Sequence, residues 1–383
     1  MKRQSDERPS LRVGIVGAGF AGRSHAAGYR LANVALNLPV DVVVSAIADV
    51  DDQRAQQFAS RFGLDWFTDD WHDLLDDETI DVVSIAAPNE FHSEIALAAL
   101  ATGKHVHCEK PLALSFADAH RMASAAKASE AVTRVGFNYL ANPLVREMKR
   151  HIETKEIGDV LSFRGIHANG FLATGEEPAD FRILGPGSGV LQDLGSHILA
   201  TAIYLLGPVE CVRGEKVTVH HRRVSPNGEV GSADDIARAT LRFSSGATGT
   251  IEASWVATGR NMQHDFEVYG TRGAIHFSQE RFSEYHLYFV DPTGKQQGFQ
   301  RVEAGPKHFP YGNLCPAPGH QLGFNELKAI ELAEFVGEIC GLAPTGLGFD
   351  FGNKVAACVE AIDLSAREET FIPVRRVADY QRS

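Results

Sequence analysis

The decapeptide VGIVGAGFAG, Val13 to Gly22, constrains the fold of this chain more than any other stretch. An apolar run from Leu11 to Val16 enters it and helix-forming residues from Ala21 onward leave it, so its glycines stand where a strand turns into a helix. They are spaced G-x-G-x-x-G at Gly17, Gly19 and Gly22. Gly17 makes the tight turn, Gly19 lets backbone approach a pyrophosphate, and Gly22 allows helix and strand to pack closely. In a chain with 36 glycines the bare hexamer is a weak signal, and its place between strand and helix is what gives it meaning. Phe20 and Ala21, inside the same turn, join the three glycines as expected dinucleotide contacts.

The segments downstream repeat the theme. Apolar strands are predicted at Val40–Ala48, Ile80–Ala87, Lys104–Cys108 and Val132–Val135, with helices over Ala21–Leu36, Glu90–Ala101 and Ser115–Ala128. Unbroken apolar strands alternating with helices indicate a parallel sheet covered on both faces. Beyond GFNYLANP the period changes. A helix at Leu144–Thr154 precedes runs in which Ala237, Ala239, Leu241 and Phe243 share one face, as do Ile251, Ala253 and Trp255. HDFEVYG and YHLYFV alternate likewise, and helices near Asn325–Cys340 and Phe351–Arg367 finish the chain. The fold class is therefore α/β followed by α+β: a doubly wound Rossmann domain over 1–136, then a second domain with a mainly antiparallel sheet over 137–383.

Composition excludes several functions. Forty-nine acidic against 37 basic side chains give a formal charge of −12, which disfavours nucleic acid and anionic membrane as partners. A phosphorylated cofactor stays compatible, because helix N-termini and backbone amides bind phosphate whatever the net charge. The longest apolar run, Ile198 to Gly207, is too short to cross a bilayer, and no apolar leader precedes the glycines. Five scattered cysteines without a CxxC pair suit reduced thiols and a cytoplasmic location. His105, His107 and Cys108 invite a metal reading, but on a strand Cys108 faces away from His107 and no second cluster follows, so no metal is expected.

Asp49 closes the second strand, where a carboxylate accepts hydrogen bonds from adenosine ribose hydroxyls and repels a 2′-phosphate. NAD is thus favoured over NADP, with Arg54 the nearby cation that moderates the preference. Lys110 follows a strand whose carboxyl end borders the expected cofactor crevice. Asp193 and His197 are four residues apart in a segment that continues as a helix, which puts them on one face. A carboxylate beside an imidazole favours the protonated ring and orients it. Gly185–Gly189, with Pro186, leave room for a ligand next to this pair, and Lys110 across the cleft would polarise an alcohol or ketone.

GIVGAGFAGRSH, APNEFH, CEKPLA and GSGVLQDLGSHILA, in this order, resemble the Gfo/Idh/MocA oxidoreductase family over nearly the whole chain, about Leu11 to Val374. The resemblance implies an open C-terminal sheet used for homo-oligomer contact (dimer or tetramer), a nicotinamide cofactor and a neutral polyhydroxylated substrate, a sugar, anhydrosugar or cyclitol. Lys110, Asp193 and His197 match the family's catalytic set. Pro88, Asn89 and His92 match a segment near the nicotinamide, and Glu109 matches a cofactor-side carboxylate. Tyr139, His167, Asn169, Arg182 and Asn325 are the polar groups expected around substrate hydroxyls, with Lys110, Asp193 and His197. Leu140 and Phe181 depart from the family, where many members carry arginine and several carry tryptophan. The function expected is hydride transfer from a ring secondary alcohol to NAD. Redox-neutral glycoside cleavage and non-catalytic sugar or NAD sensing are the alternatives this fold leaves open. Asp49→Ala is expected to weaken NAD binding and relax discrimination against NADP; unchanged affinities for both in a titration would remove Asp49 from the site.

Overall fold

The computed structural model describes residues 8–185, 187–295 and 298–380. Pro186, part of the glycine segment singled out above, lies outside them. The first part of the chain runs β1 Ser10–Val16, α1 Phe20–Ala35, β2 Asp41–Ala48, α2 Asp52–Phe62, β3 Trp66–Thr68, α3 His72–Asp76, β4 Val82–Ile85, α4 His92–Ala101, β5 His105–Glu109, α5 Phe116–Ala128 and β6 Thr133–Gly136. These strands form one six-stranded sheet in the order β3-β2-β1-β4-β5-β6. Every pairing is parallel. The order reverses between β1 and β4, which opens a crevice beyond their carboxyl ends.

The second part runs α6 Pro143–Glu153, β7 Val160–Ala168, a π-helical turn Leu191–Gly195, α7 Ser196–Leu206, β8 Val209–Val217, β9 Arg223–Val224, β10 Val230–Gly231, β11 Ile236–Phe243, β12 Thr248–Ser254, β13 Gln263–Gly270, β14 Gly273–Ser278, β15 Glu284–Phe289, β16 Gln300–Glu303, α8 Tyr311–Leu314, α9 Phe324–Ile339, α10 Phe349–Glu368, β17 Ile372–Pro373 and α11 Arg375–Tyr380. A nine-stranded sheet, β16-β15-β14-β13-β7-β12-β11-β8-β17, dominates it. It is mostly antiparallel, but β7 and β12 pair in parallel. Burial strictly alternates along β11, with Ala237, Ala239, Leu241 and Phe243 turned inward and the arginines between them outward. Sequence periodicity exposed β11 and β12 but passed over β7, because Gly165 interrupts its apolar face. That glycine has a packing reason: a Cβ there would press on the Ile198 side chain of α7 at 2.7 Å.

The chain returns to its beginning at α9. Leu332, Phe335 and Val336 are fully buried in one apolar cluster with Val13 and Ile15 of β1 and Tyr29 of α1. Gly28 of α1 makes the approach close, since a Cβ there would come within 2.9 Å of Leu332. Similarly α10 packs on α5, and Gly352 leaves room for Leu112. Part of one helix layer of the parallel sheet is thus contributed by residues more than 300 positions downstream of β1. Leu332→Ala leaves a cavity in that layer and is expected to lower the stability to chemical denaturation by about 2–5 kcal/mol.

Candidate active site

The glycine turn has the geometry a dinucleotide needs. Gly17 sits at φ 103°, where L side chains are strained, and a Cβ would approach the Ala86 carbonyl at 2.5 Å. Gly22 lies directly under the Gly17 carbonyl, so helix and strand meet without a side chain between them. Gly19 meets nothing within 4 Å of a built Cβ and faces the crevice. It is the N-cap of α1 with no side-chain cap, which leaves the first-turn amides available to phosphate. At the end of β2, Asp49 is fixed by two backbone amides, Ala18 N–H to Oδ2 at 2.8 Å and Asp51 N–H to Oδ1 at 3.0 Å. Arg54 pairs with it at 3.2 Å. An anchored carboxylate beside free helix amides fits the ribose and pyrophosphate of NAD.

Phe20 and Phe324 stack obliquely at 5.7 Å beside this turn, and Ser24 donates to Asn325 Oδ1 at 3.4 Å. Asn325, expected among the substrate ligands, therefore stands against α1 on the cofactor side of the crevice. Pro88 precedes the turn Asn89–Phe91 that leads into α4. His92, expected beside the cofactor, opens α4. Its ring is fully buried, with nitrogens facing the carbonyls of Pro111 at 2.9 Å and Ala87 at 3.1 Å. It braces the loops after β4 and β5 against each other.

Lys110 meets its partner across the cleft. Its ammonium bonds Asp193 Oδ1 at 2.8 Å, while Arg182 Nε donates to Oδ2 at 3.2 Å. Arg182 also pairs with Asp180 at 2.7 Å and lies over the Phe181 ring at 4.3 Å. Burial alone would raise the Asp193 carboxyl, but Lys110 and Arg182 hold it below the usual carboxylate range.

This corrects the expected relation between Asp193 and His197. The backbone makes a π turn at Leu191–Gly195 before α7 starts, and the Asp193 carboxylate is taken by Lys110 and Arg182 rather than by the imidazole. His197 instead packs among rings, with Tyr139 at 4.8 Å, His167 at 5.2 Å and Phe137 at 5.8 Å. Burial first, then the Lys110 charge and the neighbouring histidines, hold its pKa well below the usual value. The His197 ring is therefore held neutral.

The remaining polar groups gather around it. Tyr139, its hydroxyl pKa pushed up to about 12 by burial, contacts Met262 sulfur at 3.5 Å. His167 Nδ1 bonds the Leu194 carbonyl at 3.2 Å. Its Nε2, like Asn169 Oδ1, is buried without a hydrogen-bond partner among the described residues. His264 completes the cluster and was missed from sequence: its ring meets His167 edge-on at 4.8 Å and bonds Thr201 Oγ1 at 3.0 Å. The signal for it is strand register, since His264 of β13 lies directly opposite His167 of β7.

Comparison with known proteins agrees with this geometry. Residues 11–137 match the model of the oxidoreductase family with an NAD-binding Rossmann fold, and residues 145–276 match the GFO/IDH/MocA C-terminal domain. Levoglucosan dehydrogenase of Pseudarthrobacter phenanthrenivorans is 36% identical over 96% of this chain and 99% of its own. The NAD(+)-dependent scyllo-inositol 2-dehydrogenase of Bacillus subtilis is 27% identical over 85% of each. A levoglucosan dehydrogenase structure in complex with NADH and levoglucosan superimposes with a TM-score of 0.92, at 36% identity over 95% of this chain and 99% of that one. The chain belongs to the Gfo/Idh/MocA oxidoreductase family and is an NAD-dependent dehydrogenase acting on CH–OH groups.

Because its folded pKa is depressed, His197 is expected to stay neutral as pH falls through the ordinary histidine value of 6.5 and to protonate only below it. Titration of its ring signals by NMR, assigned with His197→Asn, checks this; a midpoint at 6.5 would contradict it.

Proposed function

We propose that this dehydrogenase oxidises a ring secondary alcohol of a small neutral polyol, an anhydrosugar such as levoglucosan or a cyclitol such as inositol. The observation that carries the reading is a neutral buried imidazole beside a charge-balanced group of Lys110, Asp193, Arg182 and Asp180. Both cations, Lys110 and Arg182, are already answered by Asp193 and Asp180, which disfavours an anionic substrate. The unpaired His167 Nε2 and Asn169 Oδ1 are suited to hydroxyl groups, which donate and accept at one atom. The names of the related dehydrogenases point the same way.

In the mechanism we favour, NAD lies along the glycine turn and Asp49, and supplies the hydride acceptor. Lys110 donates a hydrogen bond to the reacting oxygen and stabilises its developing negative charge. His197, unprotonated, takes the hydroxyl proton. Asp193 holds the Lys110 ammonium in place. Tyr139 and His167 wall the ring of the substrate and keep water from the base.

We also infer a homo-oligomer, a dimer or tetramer. The outward face of the nine-stranded sheet carries Arg164, Arg213 and Arg238 beside Glu215, Glu252 and Glu267, a mixed-sign surface that a second copy complements. The five cysteines, all free, support a reducing compartment such as the cytoplasm.

NADH formation with NAD and levoglucosan, myo-inositol, glucose or simple glucosides is the direct test. A signal abolished in Lys110→Ala is expected for at least one of them. His197→Ala is expected to reduce turnover by about 10²–10⁴-fold while NAD binding persists; full turnover in that variant would remove His197 from the chemistry.

A further inference from the structure

Beneath the glycine turn runs a buried ionic chain that the mechanism above does not use. The Lys328 ammonium of α9 bonds Glu109 Oε1 at 2.7 Å and Glu331 Oε1 at 2.6 Å. Glu331 faces His107 Nε2 at 2.7 Å, and Glu109 faces His25 Nε2 at 3.0 Å. The other His25 nitrogen reaches Ser84 Oγ of β4 at 3.0 Å. The chain therefore joins α1, β4, β5 and α9 beside the crevice.

Its charges do not cancel. Burial favours neutral carboxyls, but Lys328 overrides it, holding Glu331 at about 2 and Glu109 well below its usual range. Burial is opposed for Lys328 by the two carboxylates, which keep it cationic. Burial leaves His25 and His107 neutral. Two carboxylates against one ammonium leave one negative charge, and no other cation among the described residues pairs with either carboxylate. An uncompensated buried charge is costly and calls for a cation. Four members of the chain are sealed, while the Glu109 side chain is 18% exposed. Among the described residues its Oε2 accepts only from the Lys110 backbone N–H, at 3.2 Å. The chain thus opens to the crevice at one end, next to the catalytic lysine.

We propose that this ionic chain delivers one uncompensated negative charge to the nicotinamide end of the crevice and selects the oxidised cofactor, whose ring is cationic, over the reduced one. Glu109 is the group that meets the ring; Lys328 and Glu331 are positioning residues that set its charge. The inference rests on the nicotinamide lying beside Lys110, as in the proposed mechanism.

The test measures dissociation constants of NAD⁺ and NADH separately on the full chain, by calorimetry and by NADH fluorescence. Glu331→Gln removes the excess charge, and the ratio Kd(NAD⁺)/Kd(NADH) is expected to rise on the order of tenfold, the effect of one charge at about 10 Å in a medium of intermediate dielectric. Glu331→Gln combined with Lys328→Met removes one charge of each sign, and the ratio is expected to return to the wild-type value. A purely structural role predicts the reverse: both cofactors weaken together and the double variant is worse than the single one. Glu109→Gln gives the same rise if Glu331→Gln does not fold. A ratio unchanged in the single variants, or a double variant as shifted as the single, overturns the proposal alone. Wild-type protein that binds neither cofactor overturns the placement on which it rests.

Discussion

The ion pair between Lys110 and Asp193 decides what the rest of the site can be. It ties the end of β5 to the π turn before α7, so the cofactor crevice and the histidine cluster share one wall. An ion pair at 2.8 Å, with both side chains about one-fifth exposed, satisfies each charge without sealing it from a substrate. Had Asp193 turned to His197 instead, the imidazole would be held protonated and Lys110 would stand uncompensated. The observed choice leaves a neutral imidazole beside a paired cation. The Glu109 chain, on the cofactor half, holds the opposite arrangement: charge in excess, mostly out of reach of water.

The same division shows in how the histidines are used. His92 braces loops, His25 and His107 serve the ionic chain, and His167, His197 and His264 form the ring cluster. All are buried. Burial pushes His107 and His167 down to about 4 from an ordinary 6.5, so the unfolded chain binds more protons than the folded one across that interval. Their stabilising contribution is complete above 6.5 and fades as pH falls toward 4. Mild acid thus weakens the packing around the cluster through the same desolvation that keeps His197 neutral.

What the sequence made legible follows from which interactions are local. Gly17, Gly19, Gly22 and Asp49 belong to one βαβ unit, and contiguous residues specify that unit almost completely. Lys110 was legible because a strand end dictates where its side chain goes. Asp193 and His197 were placed together by helical spacing, yet their electrostatic relation was misread, since it depends on Arg182 and on a π turn that no i, i+4 rule describes. The contact of Asn325 with Ser24 of α1 was hidden for a similar reason: the packing of α9 on α1 joins residues some 300 positions apart. His264 and Lys328 were invisible for lack of strand register and of that same helix contact.

That helix contact also bears on how the protein is made. The parallel sheet comes off the ribosome first, but one of its helix layers waits for Leu332, Phe335 and Val336. Until these residues emerge, the apolar side chains of α1 and β1 lack part of their cover, and the nascent Rossmann unit is left with a solvent-exposed greasy patch. The two sheets therefore do not mature one after the other. The dinucleotide fold is completed from the far end of the chain, so a ribosome that stalls before α9 releases an aggregation-prone fragment rather than a small working domain.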